Sequence, residues 1–299
     1  MSSINTNLSA ITALQSLKTT QNAMNKTQNQ ISTGLRVGSA ADNASYFSIA
    51  TQMRSDNGAL GAVKDSIKQS KAMIDTFTSA LGKISAYLDK AKQNLVNATQ
   101  PGAQQEEINT ELAKLAEGIK NTAASANFNG ENWLQQSDAD AALNKALVVS
   151  YDSNGAATSK VGTISVDTGV TQMFNATQAA GGTSKLGDLM AALTTGYSNA
   201  TADVATKGSQ KLLDDLETAI DDVKTAAAQL GATKSLLETQ EEFIGVLSDS
   251  LTAGVSAFVD ADMNEASTRF QALQTQQQLG VQSLSMANQN SQMILKLFQ

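Results

Sequence analysis

The chain has 299 residues, no cysteine, no histidine and one proline, and it carries a formal net charge of −7 with an isoelectric point near 4.7. The absence of cysteine excludes a disulfide framework, a thiol nucleophile and cysteine metal sites, and the acidic balance argues against general nucleic-acid binding. Hydrophobic residues make up 41 % but aromatics only 4 %, a mix that suits long helices with narrow seams better than a thick globular core.

The first residues, MSSINTNLSA, lack a basic segment followed by an apolar core, so no secretory signal peptide is expected. No run of eighteen apolar residues occurs, so no transmembrane helix is expected either. Residues 1–41 hold no Asp or Glu, and their polar face is Asn, Gln, Ser and Thr. Within them Leu14, Leu17, Gln21, Met24, Gln28, Ile31 and Leu35 step by three and four. A mean period of 3.5 marks a helix that supercoils left-handedly against another. Gly34 and Gly38 read as a helix end and a turn.

Asp42 or Asn43 then reads as the cap of a much longer helix. Its clearest stretch is Ile74, Phe77, Leu81, Ile84, Leu88, Ala91 and Leu95. Continuous from about 43 to 99, it would be on the order of 80 Å long. Pro101-Gly102 is a turn, and Ile108, Leu112, Leu115 and Ile119 mark a shorter return helix. The middle, about 128–200, is glycine-rich. Leu147 to Tyr151 and Val161 to Val166 read as strands around the hairpin signal Asn154-Gly155, and Leu186 to Leu193 as a short helix.

Helical pattern returns after about 203. Leu213, Leu216, Ile220, Val223, Ala227, Leu230, Lys234, Leu237, Glu241, Ile244, Ser248 and Leu251 hold the alternation. A break is expected at Gly254 to Asp262, with Asp262 and Glu265 as a capping box for a C-terminal helix. That helix runs a seam through Phe270, Leu273, Gln277, Gly280, Leu284, Ala287, Ser291, Ile294 and Phe298. Leu279, Val281, Met286, Met293, Leu295 and Leu297 lie off the seam, so the helix must be covered on more than one side. The simplest arrangement pairs the two termini and leaves further copies of the chain to cover the rest. The predicted fold is mainly α: nested long antiparallel helices, a terminal coiled coil plus a helical rod domain, with a small β-hairpin-containing insertion. The expected divisions are 1–43 with 256–299, 44–135 with 203–255, and 136–202.

Several ordered motifs point to one family. They are Ile4-Asn5-Thr6-Asn7, Ser32 to Arg36 followed by Ser39 to Ala44, Phe128-Asn129-Gly130, and the Gln-rich end with Ser291 to Phe298. In these the chain resembles bacterial flagellin, of a short, alphaproteobacterial-like type with a reduced outer domain. The resemblance covers roughly residues 1–135 and 203–299. It implies an inner coiled-coil tube from the termini, a rod domain outside it, and self-assembly into an open helical filament for swimming motility. Leu14, Leu17, Met24, Ile31, Leu35, Phe270, Leu273, Leu284, Ile294 and Phe298 would carry that assembly. It further implies type III export of unfolded chain without a cleaved signal peptide, an export chaperone, and cap and junction proteins as partners.

Flagellins are also ligands of a Toll-like innate receptor, through a rod-helix stretch that aligns with Leu88 to Asn97. Lys90 and Lys92 stand where the family has arginines, Gln93 replaces a glutamate and Asn94 a leucine. Lysine lacks the planar fork of arginine, so weak or absent activation is expected. Two other readings fit the terminal design: a hook–filament junction protein, and a secreted coiled-coil effector or innate-immune ligand. Neither a membrane nor nucleic acid is an expected partner. The acidic pairs Asp214-Asp215, Asp221-Asp222 and Glu241-Glu242 read as solvated helix faces, since no histidine exists to complete a site. No enzymatic activity and no cofactor are expected. Met24, Met286 and Met293 read as adaptable seam packing, and Trp133 as local core.

Overall fold

The computed structural model describes residues 7–98, 100, 104–136, 144–153, 159–175, 185–195 and 202–297. Among the described residues, seven helices and four strands follow in chain order: α1 (Leu8–Thr33), α2 (Ala44–Ala98), α3 (Gln105–Ser125), β1 (Gln135–Gln136), β2 (Asn144–Ser153), β3 (Ser159–Asp167), α4 (Thr168–Thr171), β4 (Phe174–Asn175), α5 (Gly187–Thr195), α6 (Ala202–Val259) and α7 (Met263–Leu297). The two long helices match in length, with 55 residues in α2 and 58 in α6. The chain divides into two compact units, residues 1–58 with 248–299, and residues 59–247.

The helix ends follow local chemistry. Asn7 caps α1 by accepting from the amide of Ala10 at 3.1 Å. Gly34 ends it in the left-handed conformation, φ 73°, which costs glycine little and most other residues more. Asn43 caps α2 through amides of Ser45 and Tyr46, both at 3.1 Å. Asp262 caps α7 through amides of Asn264 and Glu265. The Glu265 carboxylate turns instead to Arg269, at 2.6 Å. The break before α7 comes later than the glycine suggested. Helix α6 runs through Gly254 to Val259, and the chain leaves it only at Asp260 to Asp262. One interior glycine costs a helix about 1 kcal/mol. That is too little to end a helix this long when its neighbours are packed.

In the unit of residues 59–247 the core is a ladder. Ile67, Ile74, Phe77, Leu81, Ile84, Leu88, Ala91 and Leu95 are all fully buried along α2. Leu216, Leu230, Leu237 and Ile244 answer from α6, and Leu112, Ala116, Ile119 and Ala123 from α3. Two seam positions of α6 carry charge, and both are paired. Lys234 meets Asp75 at 2.5 Å, and Glu241 meets Lys71 at 3.0 Å. Trp133 is buried and stacks on Phe77, ring centres 5.1 Å apart. It is local core, as its sequence position suggested.

Strands β2 and β3 form an antiparallel hairpin, with a bulge between Val148 and Ser150. The expected Asn154-Gly155 turn lies outside the described residues. A second, parallel pairing joins β1 to β4 over two residues, and the sequence pattern had not announced it.

The central α2 ladder sets the stability of this unit. Leu81→Ala, at a fully buried site, is expected to cost about 2–5 kcal/mol. It should lower the urea midpoint without changing the slope of the transition.

Candidate assembly surface

The unit of residues 1–58 and 248–299 holds the terminal pair. Helices α1 and α7 pack antiparallel along a seam of unusual content. Leu17 seats against Gly280, where an added Cβ would come within 3.4 Å of its Cδ1. Gln21 and Gln277 pair through their amides at 2.8 Å. Asn7 donates to the carbonyl of Ala287 at 3.0 Å. Thr27 is buried, with its hydroxyl turned back to the carbonyl of Ala23. Amides and hydroxyls satisfied in this way hold two helices at close range without the cost of burying a charge.

The α7 seam lies where its spacing predicts: Phe270, Leu273, Gln277, Gly280, Leu284 and Ala287 are all half-buried. On α1 the inward set is Ala10, Ala13, Leu17, Thr20, Gln21, Met24 and Thr27, with Ile31 half-buried at the end. Leu14 and Gln28, given to the seam by the sequence reading, point away from it. The contact of Leu17 with Gly280 sets the register and turns Ala13 inward, leaving Leu14 57 % exposed. Leu35 lies past the helix end and bridges to Asp260 instead of extending the seam. Ile294 is in α7 but its side chain is outside the described residues, as is all of Phe298.

The chain between α1 and α2 is held against the end of α6 by backbone bonds. The amides of Arg36 and Val37 reach the carbonyl of Val259 at 2.7 and 3.2 Å, and Ala261 donates to Gly34. The Arg36 guanidinium donates to the carbonyl of Phe258 and lies 6.0 Å from the ring centre of Tyr46. Tyr46 in turn stacks on Phe258. Asp42 ties the turn together. Its carboxylate accepts from Gly38 and Ser39 and pairs with Lys26 at 3.1 Å. The Lys26 bond, aided by Ser39, holds its pKa below the usual carboxylate value.

Away from the seam the terminal pair is bare. Leu8 and Ile11 on α1 join Leu14 as exposed apolar residues, and Leu279, Val281 and Met286 do so on α7. The two helices bury one thin seam and expose large apolar side chains on other sides. Such surfaces in a folded chain mark sites of association.

A family model described as the bacterial flagellin N-terminal helical region matches residues 4–139, and its C-terminal counterpart matches residues 213–298. The chain belongs to the bacterial flagellin family. Flagellin C of Rhizobium meliloti (strain 1021) is 40 % identical, and a flagellin of Brucella melitensis biotype 1 is 41 % identical, over the full length of this chain. The alignments cover 100 % and 99 % of those relatives. Flagellin A of Rhizobium meliloti is 33 % identical, and the alignment covers 100 % of both chains. These matches favour the filament subunit over the junction protein and the secreted effector.

The turn yields a pH prediction. A carboxylate whose folded pKa is depressed stabilises the fold fully above its unfolded value, and that contribution is lost as pH falls through the folded one. Denaturation midpoints should therefore decline on acidification below the ordinary carboxylate range. Asp42→Asn should remove part of that decline and lower stability at neutral pH.

Proposed function

We infer that this flagellin is an extracellular structural subunit that polymerises into the flagellar filament through its terminal helices. The observation that carries the reading is the α1–α7 pair, whose seam is thin and whose outer faces expose Leu8, Ile11, Leu14, Leu279 and Met286. Neighbouring copies cover those faces. A head-to-tail contact whose rotation does not close yields an open helical polymer.

The three-part organisation follows from the same reading. Residues 1–43 and 256–299 build the inner coiled coil, 44–135 and 203–255 the rod, and 136–202 a small outer insertion. Of the assembly residues, Leu17, Met24, Phe270, Leu273 and Leu284 act within the pair, while Leu14 acts between subunits. The role is mechanical and involves no catalysis. Export proceeds through the flagellar type III route without a cleaved signal peptide, with an export chaperone, and cap and junction proteins meet the polymer at its ends.

Electron microscopy of the purified chain, seeded with filament fragments, tests this directly. The full chain should elongate the seeds, and a truncation lacking 263–299 should stay soluble. Soluble full-length protein under every polymerising condition would contradict the reading.

Weak activation of the Toll-like receptor belongs to the same proposal. In α2, Leu88, Ala91 and Leu95 are buried, so the stretch can offer a receptor only what lies between them. Lys90 and Gln93 are exposed, Asn94 is tied to Glu111 at 3.1 Å, and Lys92 to Glu217 at 2.7 Å. A reporter-cell titration should need roughly tenfold or more protein than a flagellin carrying the arginines, the equivalent of one lost charge-assisted contact. Restoring the arginines at positions 90 and 92 should recover part of the gap. Full activity of the unmodified chain at low dose would reject the idea.

A further inference from the structure

Asn-Gly occurs three times in the chain, at 57–58, 129–130 and 154–155. The dipeptide carries a reaction of its own. The backbone nitrogen of the glycine, once it gives up its proton to base, can attack Cγ of the asparagine side chain. A new C–N bond forms, the C–N bond of the carboxamide breaks, and the side-chain nitrogen leaves as ammonia with the proton. The succinimide so formed takes up water and opens to aspartate or to isoaspartate. Glycine favours the step because it has no Cβ to shield its amide.

The two pairs within the described residues occupy that nitrogen in different ways. Gly58 lies inside α2, where helical geometry commits its N–H to the carbonyl four residues back. The Asn57 carboxamide is held as well, donating to Thr252 at 3.0 Å and accepting from Ser248. Asn129 and Gly130 have no helix or ladder around them. They form a two-residue turn just after α3, across which Phe128 and Glu131 exchange backbone bonds at 2.9 and 3.0 Å. Both turn residues have positive φ, 54° and 87°, the geometry that Asn-Gly favours in a tight hairpin. Both are exposed. Nothing lies within 4 Å of where a Cβ on Gly130 would stand, so base and water reach the reacting atoms. Among the described residues one contact opposes the reaction: the Gly130 N–H donates to Oδ1 of Asn127 at 2.9 Å.

We propose that Asn129 is a deamidation site, held back in the folded chain by the Asn127 carboxamide. The Asn127 oxygen binds the protonated amide of Gly130, so removal of the proton must first break that bond. The same bond fixes the nitrogen's orientation and resists its turning toward Cγ. The product would not fit the turn. Isoaspartate routes the main chain through the side-chain carbon and lengthens it by one atom. Next to the turn, Glu131 pairs with Lys145 at 3.0 Å, and Asn132 donates to the carbonyl of Ala123 at 2.8 Å. These ties lead directly to Trp133, which is buried against Phe77. A lengthened backbone at position 129 displaces the segment that delivers this ring to the core. The inference stands apart from the filament reading and does not depend on it.

The test follows conversion of Asn129 by peptide mass mapping, with aspartate and isoaspartate products separated, during incubation at mildly alkaline pH. The unmodified full-length chain is compared with Asn127→Ala, Asn127→Asp and a synthetic peptide of residues 126–133. Asn127→Ala should convert about fivefold faster than the unmodified chain, the rate equivalent of one lost neutral hydrogen bond. Asn127→Asp keeps an acceptor and should stay as slow as the unmodified chain. The free peptide should be the fastest of all. Asn57, inside α2, should remain unconverted in every folded sample and so reports that the fold is kept. Equal rates in Asn127→Ala and the unmodified chain would overturn the proposal. Conversion of Asn127→Asp as fast as Asn127→Ala would do so too, since a loosened turn and not the lost acceptor would then be the cause. An unmodified chain that reacts as fast as the peptide would also sink it, whether or not Asn127→Ala folds.

Discussion

Everything in the terminal unit depends on how little two helices can bury when they pair alone. The α1–α7 seam is lined by amides, hydroxyls and small residues, with Leu17 against Gly280 and Gln21 against Gln277. Close approach yields dispersion contacts and satisfied hydrogen bonds, but little apolar area. Ordering each residue costs about 1–2 kcal/mol of backbone entropy. A seam in which Thr27 and Ala266 are the fully buried members among the described residues of α1 and α7 offsets that poorly. Leu8, Leu14, Leu279 and Met286 stay exposed on the outer faces of the pair, and on the proposed reading other copies cover them.

The unit of residues 59–247 is built on the other principle. Its α2 ladder is fully buried at eight aliphatic or aromatic positions, and α3 and α6 supply matching faces. Ion pairs such as Lys71 with Glu241 and Lys92 with Glu217 sit at its margin. Lys92 with Glu217 is exposed, and a pair of that kind contributes about 0–1 kcal/mol, whereas Lys71 with Glu241 is half-buried. The chain thus combines a unit with a well-filled core and a terminal pair that leaves large apolar side chains exposed.

Much of this was legible in the residues, because a 3.5 period is a strong signal when helices are long. The inner seams of α2 and α6 fell where the spacing put them, including the charged positions Lys234 and Glu241. Where reading failed, tertiary packing had overridden the local pattern. Leu14 looked like a seam residue because it is apolar, yet Ala13 faces inward because Gly280 admits Leu17 and fixes the register. Gly254 looked like a helix end, yet a packed helix tolerates one glycine. Leu35 fits the alternation but lies beyond Gly34, whose left-handed turn had already ended the helix. The two-residue pairing of β1 with β4 is too short to leave any periodicity.

The most direct test of this account is hydrogen–deuterium exchange of the amides of α1 and α7, measured in the monomer and in the assembled filament. The account predicts rapid exchange in the monomer, strong protection in the filament, and a comparably protected α2 ladder in both. Terminal amides already as protected in the monomer as in the filament would contradict it. The pair would then be stable by itself, and assembly would have to be driven from somewhere else.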